Sequence, residues 1–253
     1  MDAVSARHIG PGNGTPESDW LPWLQGQALP CVTAGDMVGP TERAVVVAPH
    51  PDDEVLAVGG LMAQLADLGR RVAVVAVTDG EASHPGSTTW PPTQLAHQRI
   101  GETEAALAVL GVEALTVRLG LPDGGIALRS DALIDLLQHL LMPGDVLFTT
   151  WRWDGHPDHE ATALATRTAA SLRGIRVVEV PVWGWHWLPV GDDRMPWANA
   201  CMVPLTPDAV RRKQAAMQMF STQLQPDPSV AAAPVLRPST LLRTQRPFEV
   251  MFT

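Results

Sequence analysis

The 253-residue chain contains no tyrosine at all and only two cysteines, Cys31 and Cys201. They stand far apart and in no C-x-x-C spacing, which excludes a disulfide framework and a thiolate metal knuckle as organising devices. Any metal chemistry must therefore use histidine and carboxylate side chains. No run of about eighteen uninterrupted apolar residues occurs, which excludes a spanning helix of ordinary length and makes a cytoplasmic protein the default expectation. Basic residues are scarce: 18 Lys and Arg stand against 27 Asp and Glu, for a formal net charge of -9. No broad basic surface for a phosphate backbone follows, so a nucleic-acid partner is not expected. The first twenty residues lack the positive patch and apolar run of a secretory signal. Their Gly, Pro, Ser and Asn content reads as a loose arm, which places an N-terminal arm at 1–40 and one domain at 41–253.

Hydrophobic residues make up 45% of the chain, enough for a sizeable core in a single domain. From Arg43 onward, short β-branched runs alternate with longer helical patterns, the signature of βαβ units. The expectation is an α/β fold: a Rossmann-like, mostly parallel sheet with helices on both faces. Strands are read at 44–48, 72–77, 115–119, 146–150 and 176–180, the first of them apolar at every position, as expected of a strand covered by helices on both faces. Helices are read at 55–68, 93–110, 131–141 and 157–173, with Gly69, Gly111 and Gly174 as stops and Ser130 as a cap. Beyond Pro181 the regularity fails, apart from a helix capped by Thr206 with Pro207 at its first position. Phe248 to Phe252 reads as an edge or returning strand.

Two clusters put metal-capable side chains directly after an apolar strand, where open α/β sheets hold their ligands. The first is Pro49-His50-Pro51-Asp52-Asp53-Glu54 and the second is Trp153-Asp154-Gly155-His156-Pro157-Asp158-His159. Neighbouring parallel strands lie about 5 Å apart, so two such loops can converge on one ion. Pro157 suits a first helical position, and His156 and His159, three apart, then share one face. Asp52, Asp53 and Glu54 would repel one another if buried together, and a divalent cation relieves that repulsion. Zinc hydrolases commonly use three His or carboxylate ligands and leave a fourth position for water. Two His and one carboxylate also bind iron(II) in oxygenases, although those sites usually sit on all-β scaffolds. A non-catalytic binding module is the other class to weigh, but no G-x-G-x-x-G follows the first strand, and Gly59-Gly60 lie too far into the helix for a phosphate loop.

The strand followed by APHPDDE (48–54), together with GHPDH (155–159), resembles the PIG-L/LmbE-like deacetylases. The resemblance extends over residues 43 to 223 through Thr78-Asp79-Gly80-Glu81, Arg99-x-x-Glu102, Leu119 to Gly124, Lys213 and Ser221-Thr222-Gln223. It implies a metal-dependent amide hydrolase that removes acetyl from N-acetylglucosaminyl groups and related amides, with a small amidosugar or glycoconjugate as partner. It further implies Zn2+ as cofactor (Fe2+ or another divalent metal being the alternative), His50, Asp53 and His159 as ligands, Asp52 as general base and His156 as an electrostatic helper acting as imidazolium. One departure stands out: some members carry Tyr two residues before the first His of the second motif, where this chain has Asp154.

Asp158 suits either a role orienting His156 or capping of its own helix. Asp154, so near the site, could lower cation repulsion or contact a polar substrate, but it reads first as a surface turn residue. Arg99 could reach a substrate hydroxyl or phosphate, Glu102 is a structural partner, and Asp123 and His84, in loops after strand ends, are further substrate-binding candidates. Trp183, Trp185 and Trp187 alternate along a segment read as extended, which would turn all three to one side. Substrate identity, the physiological metal, a homo-oligomeric state and the purpose of the arm are all left open by the sequence.

Overall fold

The computed structural model describes residue 9 and residues 12–253; His8 and the rest of the arm's start lie outside the described residues. Two helices, α1 (Glu17–Gly26) and α2 (Ala34–Met37), precede the sheet. The βα alternation then runs β1 (Arg43–Ala48), α3 (Asp53–Asp67), β2 (Arg71–Ala76), α4 (Pro92–Leu110), β3 (Leu115–Arg118), α5 (Ser130–Leu140), β4 (Asp145–Thr150), α6 (Pro157–Ser171) and β5 (Arg176–Val180). After it come α7 (Gly184–Trp187), β6 (Ala200–Pro204), α8 (Pro207–Met217), α9 (Ser221–Leu224), α10 (Pro238–Arg243) and β7 (Phe248–Phe252).

The seven strands form one sheet in the order β3-β2-β1-β4-β5-β7-β6. β1 to β5 are parallel, while β7 runs antiparallel between β5 and β6. Successive side chains of β1 supply opposite cores, as strand geometry requires. Val46 packs with Val74, Phe148 and the buried faces of α3, α4 and α8. Val45 and Val47 pack with Val75, Leu147, Leu133 and Leu137 of α5, and Ala161 and Ala165 of α6. Both faces of the sheet's centre are thus covered, which is why β1 and β2 read as continuous apolar runs. Strand order reverses between β1 and β4, and in doubly wound sheets that reversal opens a crevice beyond the strands' carboxyl ends. The two His-Asp motifs leave from those two neighbouring strands.

The loose-arm reading of the N-terminus is corrected for the described residues. Trp20 and Leu24 of α1 are fully buried in a third core with Trp151, Trp185, Leu188 and Phe248. The Trp20 indole N–H donates to the Trp185 carbonyl at 2.8 Å, and its ring meets Trp185 edge-on at 4.9 Å. The polar, proline-bearing composition around this helix hides an apolar stripe only two side chains wide. The extended reading of the tryptophan segment also fails: residues 184–187 form one helical turn, with Trp185 buried while Trp183 and Trp187 are partly exposed. Ser130 does not cap α5; it lies inside the helix, and its hydroxyl donates to Ala127 O at 3.0 Å. Thr206 does cap α8, accepting the Ala209 N–H at 3.1 Å.

Inside α3 the backbone leaves helical geometry at Val58 (φ -134°), freeing groups that a regular helix would pair. A buried ion pair takes them up. Glu249 accepts the N–H groups of Gly60 and Leu61 at 2.8 and 2.9 Å, and Lys213, 2.6 Å from Glu249, donates to Leu56 O at 3.0 Å. Lys213 of α8 is therefore a structural partner of α3, the helix that the first motif opens. No described helix is long and apolar enough to cross a membrane.

Candidate metal centre and active-site cleft

β1 ends at Ala48, and the chain turns through His50 and Pro51 into α3. Asp52, the residue before the helix, adopts φ 109°, a conformation that a side-chain-bearing residue holds only when its surroundings over-determine it. That turn points Asp53, the first residue of α3, back toward His50. Oδ2 of Asp53 accepts the His50 backbone N–H at 3.0 Å and lies 3.2 Å from His50 Nδ1. From β4, His156 and Pro157 open α6 and deliver His159 so that its Nε2 lies 3.1 Å from the same Asp53 oxygen. His50, His156 and His159 stand with ring centroids 4.8 to 5.3 Å apart. The convergence of positions 50, 53 and 159 expected from the motifs is thus present.

These donors fit a divalent cation. Ligand atoms about 2.0–2.2 Å from a tetrahedral centre lie about 3.4 Å from one another, close to the separations about Asp53. His159 Nε2 is buried and faces the Asp53 carboxylate, 3.1 Å away, so that a cation taking the place of the proton between them would be held by both. His50 is held from its other edge, where Nε2 lies 3.2 Å from both Asp123 Oδ1 and Asp158 Oδ2.

The electrostatics follow from crowding. Burial pushes the His159 imidazole down, but Asp53 and Asp154 on its two edges override it and hold it at about 9. His50 behaves alike: burial opposes its cation, and Asp123, Asp158 and Asp53 raise it well above its ordinary value. Asp53, despite burial, is held below the carboxylate range by the charge and hydrogen bond of His159 and by His50. Asp52 goes the other way. Burial lifts it to about 7, with Arg99 opposing and Asp53 assisting, which suits a base working near neutral pH. Glu54 is lifted by burial to about 8 while its Oε2 accepts the Asp52 N–H at 3.1 Å. His156 is depressed to about 3 by burial and by its neighbours His159 and His50.

Several sequence expectations need correction here. The imidazolium expected at His156 is opposed by burial and by the neighbouring His159 and His50, and its Nδ1 accepts the Asp158 N–H at 3.2 Å, the pattern of an imidazole with its proton on Nε2. Asp158 does not orient His156 through its carboxylate. Its oxygens face His50 and accept the N–H groups of Gly124 and Ile126 at 2.7 and 3.2 Å. Asp123 lines the cleft but spends its carboxylate on His50 and on the Ala82 N–H, at 2.9 Å. Arg99 is buried, donating to Pro51 O at 2.5 Å and Gly80 O at 3.2 Å, with Nη2 3.4 Å from Asp52 Oδ2. It touches the base and the turn that carries it. Glu102 accepts from Ser221 and Thr222, tying α4 to α9. His84 is buried against Trp90, with Nδ1 3.0 Å from Ser83 Oγ, and does not line the cleft. Asp154, read as a surface turn residue, is fully buried, and its Oδ2 lies 2.8 Å from His159 Nδ1.

The sites share one cleft of about 360 Å³, with His50, Asp52, Asp53, Arg99, Asp123 and His156 on its polar side. Leu56, Trp183, Val235 and Leu236 form an apolar wall, and Ser83 and Gln223 add polar groups. Val235 and Leu236 went unread in the sequence because they come from a segment with no periodic signal, whereas Gln223 belongs to the Ser221-Thr222-Gln223 motif.

Fold and site define the class: a doubly wound α/β protein with a His-carboxylate metal cradle at the reversal of its strand order. Residues 45–170 match the PIG-L family, GlcNAc-PI de-N-acetylase. The chain is 30% identical over 245 residues, 75% of each chain, to the 1D-myo-inositol 2-acetamido-2-deoxy-alpha-D-glucopyranoside deacetylase of Mycobacterium sp. (strain KMS). The protein belongs to the PIG-L family. It is 28% identical over 180 residues to the enzyme of the same name from Mycolicibacterium gilvum, spanning 61% of this chain but only 62% of that relative. In fold it is similar to a deacetylase of the teicoplanin biosynthesis pathway, at a TM-score of 0.63 and 20% identity over 83% of this chain and 96% of that one.

Proposed function

We propose that the protein is a zinc-dependent N-deacetylase that hydrolyses the acetamide of an N-acetylglucosaminyl-type substrate, with His50, Asp53 and His159 as metal ligands. The observation that carries the reading is the convergence of the His50 and His159 imidazoles on one oxygen of Asp53, at 3.2 and 3.1 Å, next to the Asp52 carboxylate, which lines an open cleft. The relatives named for acetamido-sugar deacetylation supply the substrate class.

His50, Asp53 and His159 would hold the zinc, which would supply Lewis acidity toward the amide carbonyl and the attacking water. Asp52 takes the proton of the attacking water as the C–O bond forms, and Arg99 and the strained turn fix its carboxylate for that role. His156 donates its Nε2–H to the carbonyl oxygen as negative charge develops there, a neutral donor already in place before reaction. The proton held by Asp52 then passes to the leaving amine as the C–N bond breaks, giving acetate and the free amino sugar. Asp123 and Asp158 hold His50 in its ligating orientation.

The test is His159→Ala, measured for bound metal and for acetate released from N-acetylglucosamine conjugates. Loss of both together is expected. A purified variant that hydrolyses the conjugates at the normal rate overturns the assignment, and metal analysis of the wild-type protein separates zinc from iron(II).

A further inference from the structure

Asp154 is the most heavily engaged carboxylate near the cleft, and the reading of its function rests on the metal centre proposed above. It has no exposed surface. Oδ1 accepts the N–H groups of Val182 and Gly184 at 2.9 and 2.8 Å, and Oδ2 accepts the Trp183 N–H at 2.9 Å and faces His159 Nδ1 at 2.8 Å. Four N–H donors thus meet one acceptor-only group, which leaves the ring no choice of tautomer. The backbone around it is equally fixed. Trp187 Nε1 donates to Asp154 O at 2.8 Å, and at Gly155 (φ +90°) an added Cβ would lie 2.6 Å from that same indole nitrogen.

The geometry points to Asp154 as the positioning residue of the metal centre: it holds the proton of His159 on Nδ1, so that Nε2 presents its lone pair beside Asp53, and it locks the Trp183 wall of the cleft to that ligand. Metal-ligating histidines need such a partner on the far nitrogen, and losing it costs roughly 10–100-fold in metal affinity.

Asp154→Asn sharpens the test because the change is isosteric. Placed with its NH₂ toward His159, the amide donates to Nδ1 and drives the ring proton onto Nε2, where it blocks a metal. Placed the other way, the NH₂ confronts the N–H groups of Val182 and Gly184. Either orientation weakens the site. We expect zinc affinity, measured by competition with a chromophoric chelator on the full chain, to fall about 10–100-fold. Trp187→Phe removes the indole contact to Asp154 O and trims the ring's packing against Arg194 and the third core, but leaves the Asp154 carboxylate in place, so it should keep wild-type affinity whatever it does to thermal stability. As a measurement independent of any variant's folding, long-range ¹H–¹⁵N spectra of the zinc-loaded wild-type protein should show His159 protonated at Nδ1 alone. Zinc affinity unchanged in D154N overturns the proposal while leaving the metal centre standing, whereas a zinc-loaded His159 carrying its proton on Nε2 overturns both. Failure of the wild-type protein to bind zinc overturns the metal centre, and this proposal with it.

Discussion

Replacing Arg99 by Met is predicted to move the acid limb of the pH–rate profile upward. Arg99 is buried, and its Nη2 lies 3.4 Å from Asp52 Oδ2. Burial raises Asp52 and Arg99 opposes that rise, so removing the guanidinium lets the carboxyl climb further. The base works only when ionised, so a higher pKa shifts activity to higher pH. An adjacent Arg lowers an Asp by about 1–3 units. With a single contact at 3.4 Å the lower half of that range applies. At a pH below both limbs, kcat/KM relative to wild type should then fall by about 10–100-fold, at 1.36 kcal/mol per unit, with much of the loss recovered at high pH. A bound cation displaces both limbs alike, so the difference between the two proteins is the quantity to read. Arg99→Lys keeps a charge and should shift the limb less. Both variants leave the carbonyls of Pro51 and Gly80 without their guanidinium donor, about 1–3 kcal/mol each if buried and unpaired, so folding is checked by circular dichroism first. The assay is acetate released from an N-acetylglucosaminyl conjugate between pH 5 and 9, a window of roughly two units either side of neutrality. A limb that stays put or moves down in R99M refutes the pairing of Arg99 with the base.

Metal-free protein should lose stability as pH rises. His159, held at about 9 against an ordinary 6.5, contributes fully below 6.5, and that contribution disappears as pH climbs through 9. Asp52 and Glu54, raised to about 7 and 8, act in the same direction as they ionise. Tm by calorimetry in chelator should therefore fall from pH 6.5 to 9, with the gain on adding zinc largest at the upper end; a flat profile contradicts the charge arrangement about His159. Trp20→Ala should cost about 3–5 kcal/mol in denaturant unfolding, and a change below about 1 kcal/mol would show that α1 does not belong to the core. His84→Gln should lower Tm through its packing on Trp90 while leaving kcat and KM at wild-type values; a raised KM would return His84 to the substrate.

Much of this architecture can be read from the chain because burial on two faces forces the central strands β1 and β2 into apolar runs, and glycines such as Gly111, at φ +74°, punctuate the helices. The convergence of His50, Asp53 and His159 follows from the motifs once β1 and β4 are neighbours. What stays hidden depends on long-range partners. The β6 sequence Ala-Cys-Met-Val-Pro lacks β-branched density and is a strand because β7 pairs with it. Asp154 looks like any turn aspartate until the backbone of residues 182–184 closes over it. Asp158 and Asp123 both turn to His50 because the Gly124–Ile126 turn is bound to α6, a contact that no local spacing encodes.

The central claim is that one divalent ion sits between His50, Asp53 and His159. Anomalous diffraction at the zinc edge from a zinc-loaded crystal tests it directly. A single peak with the two imidazoles and the Asp53 carboxylate at about 2.0–2.2 Å is the predicted result. A peak on the other edge of His50, held by Asp123 and Asp158, or no peak within reach of His159 Nε2, would contradict it.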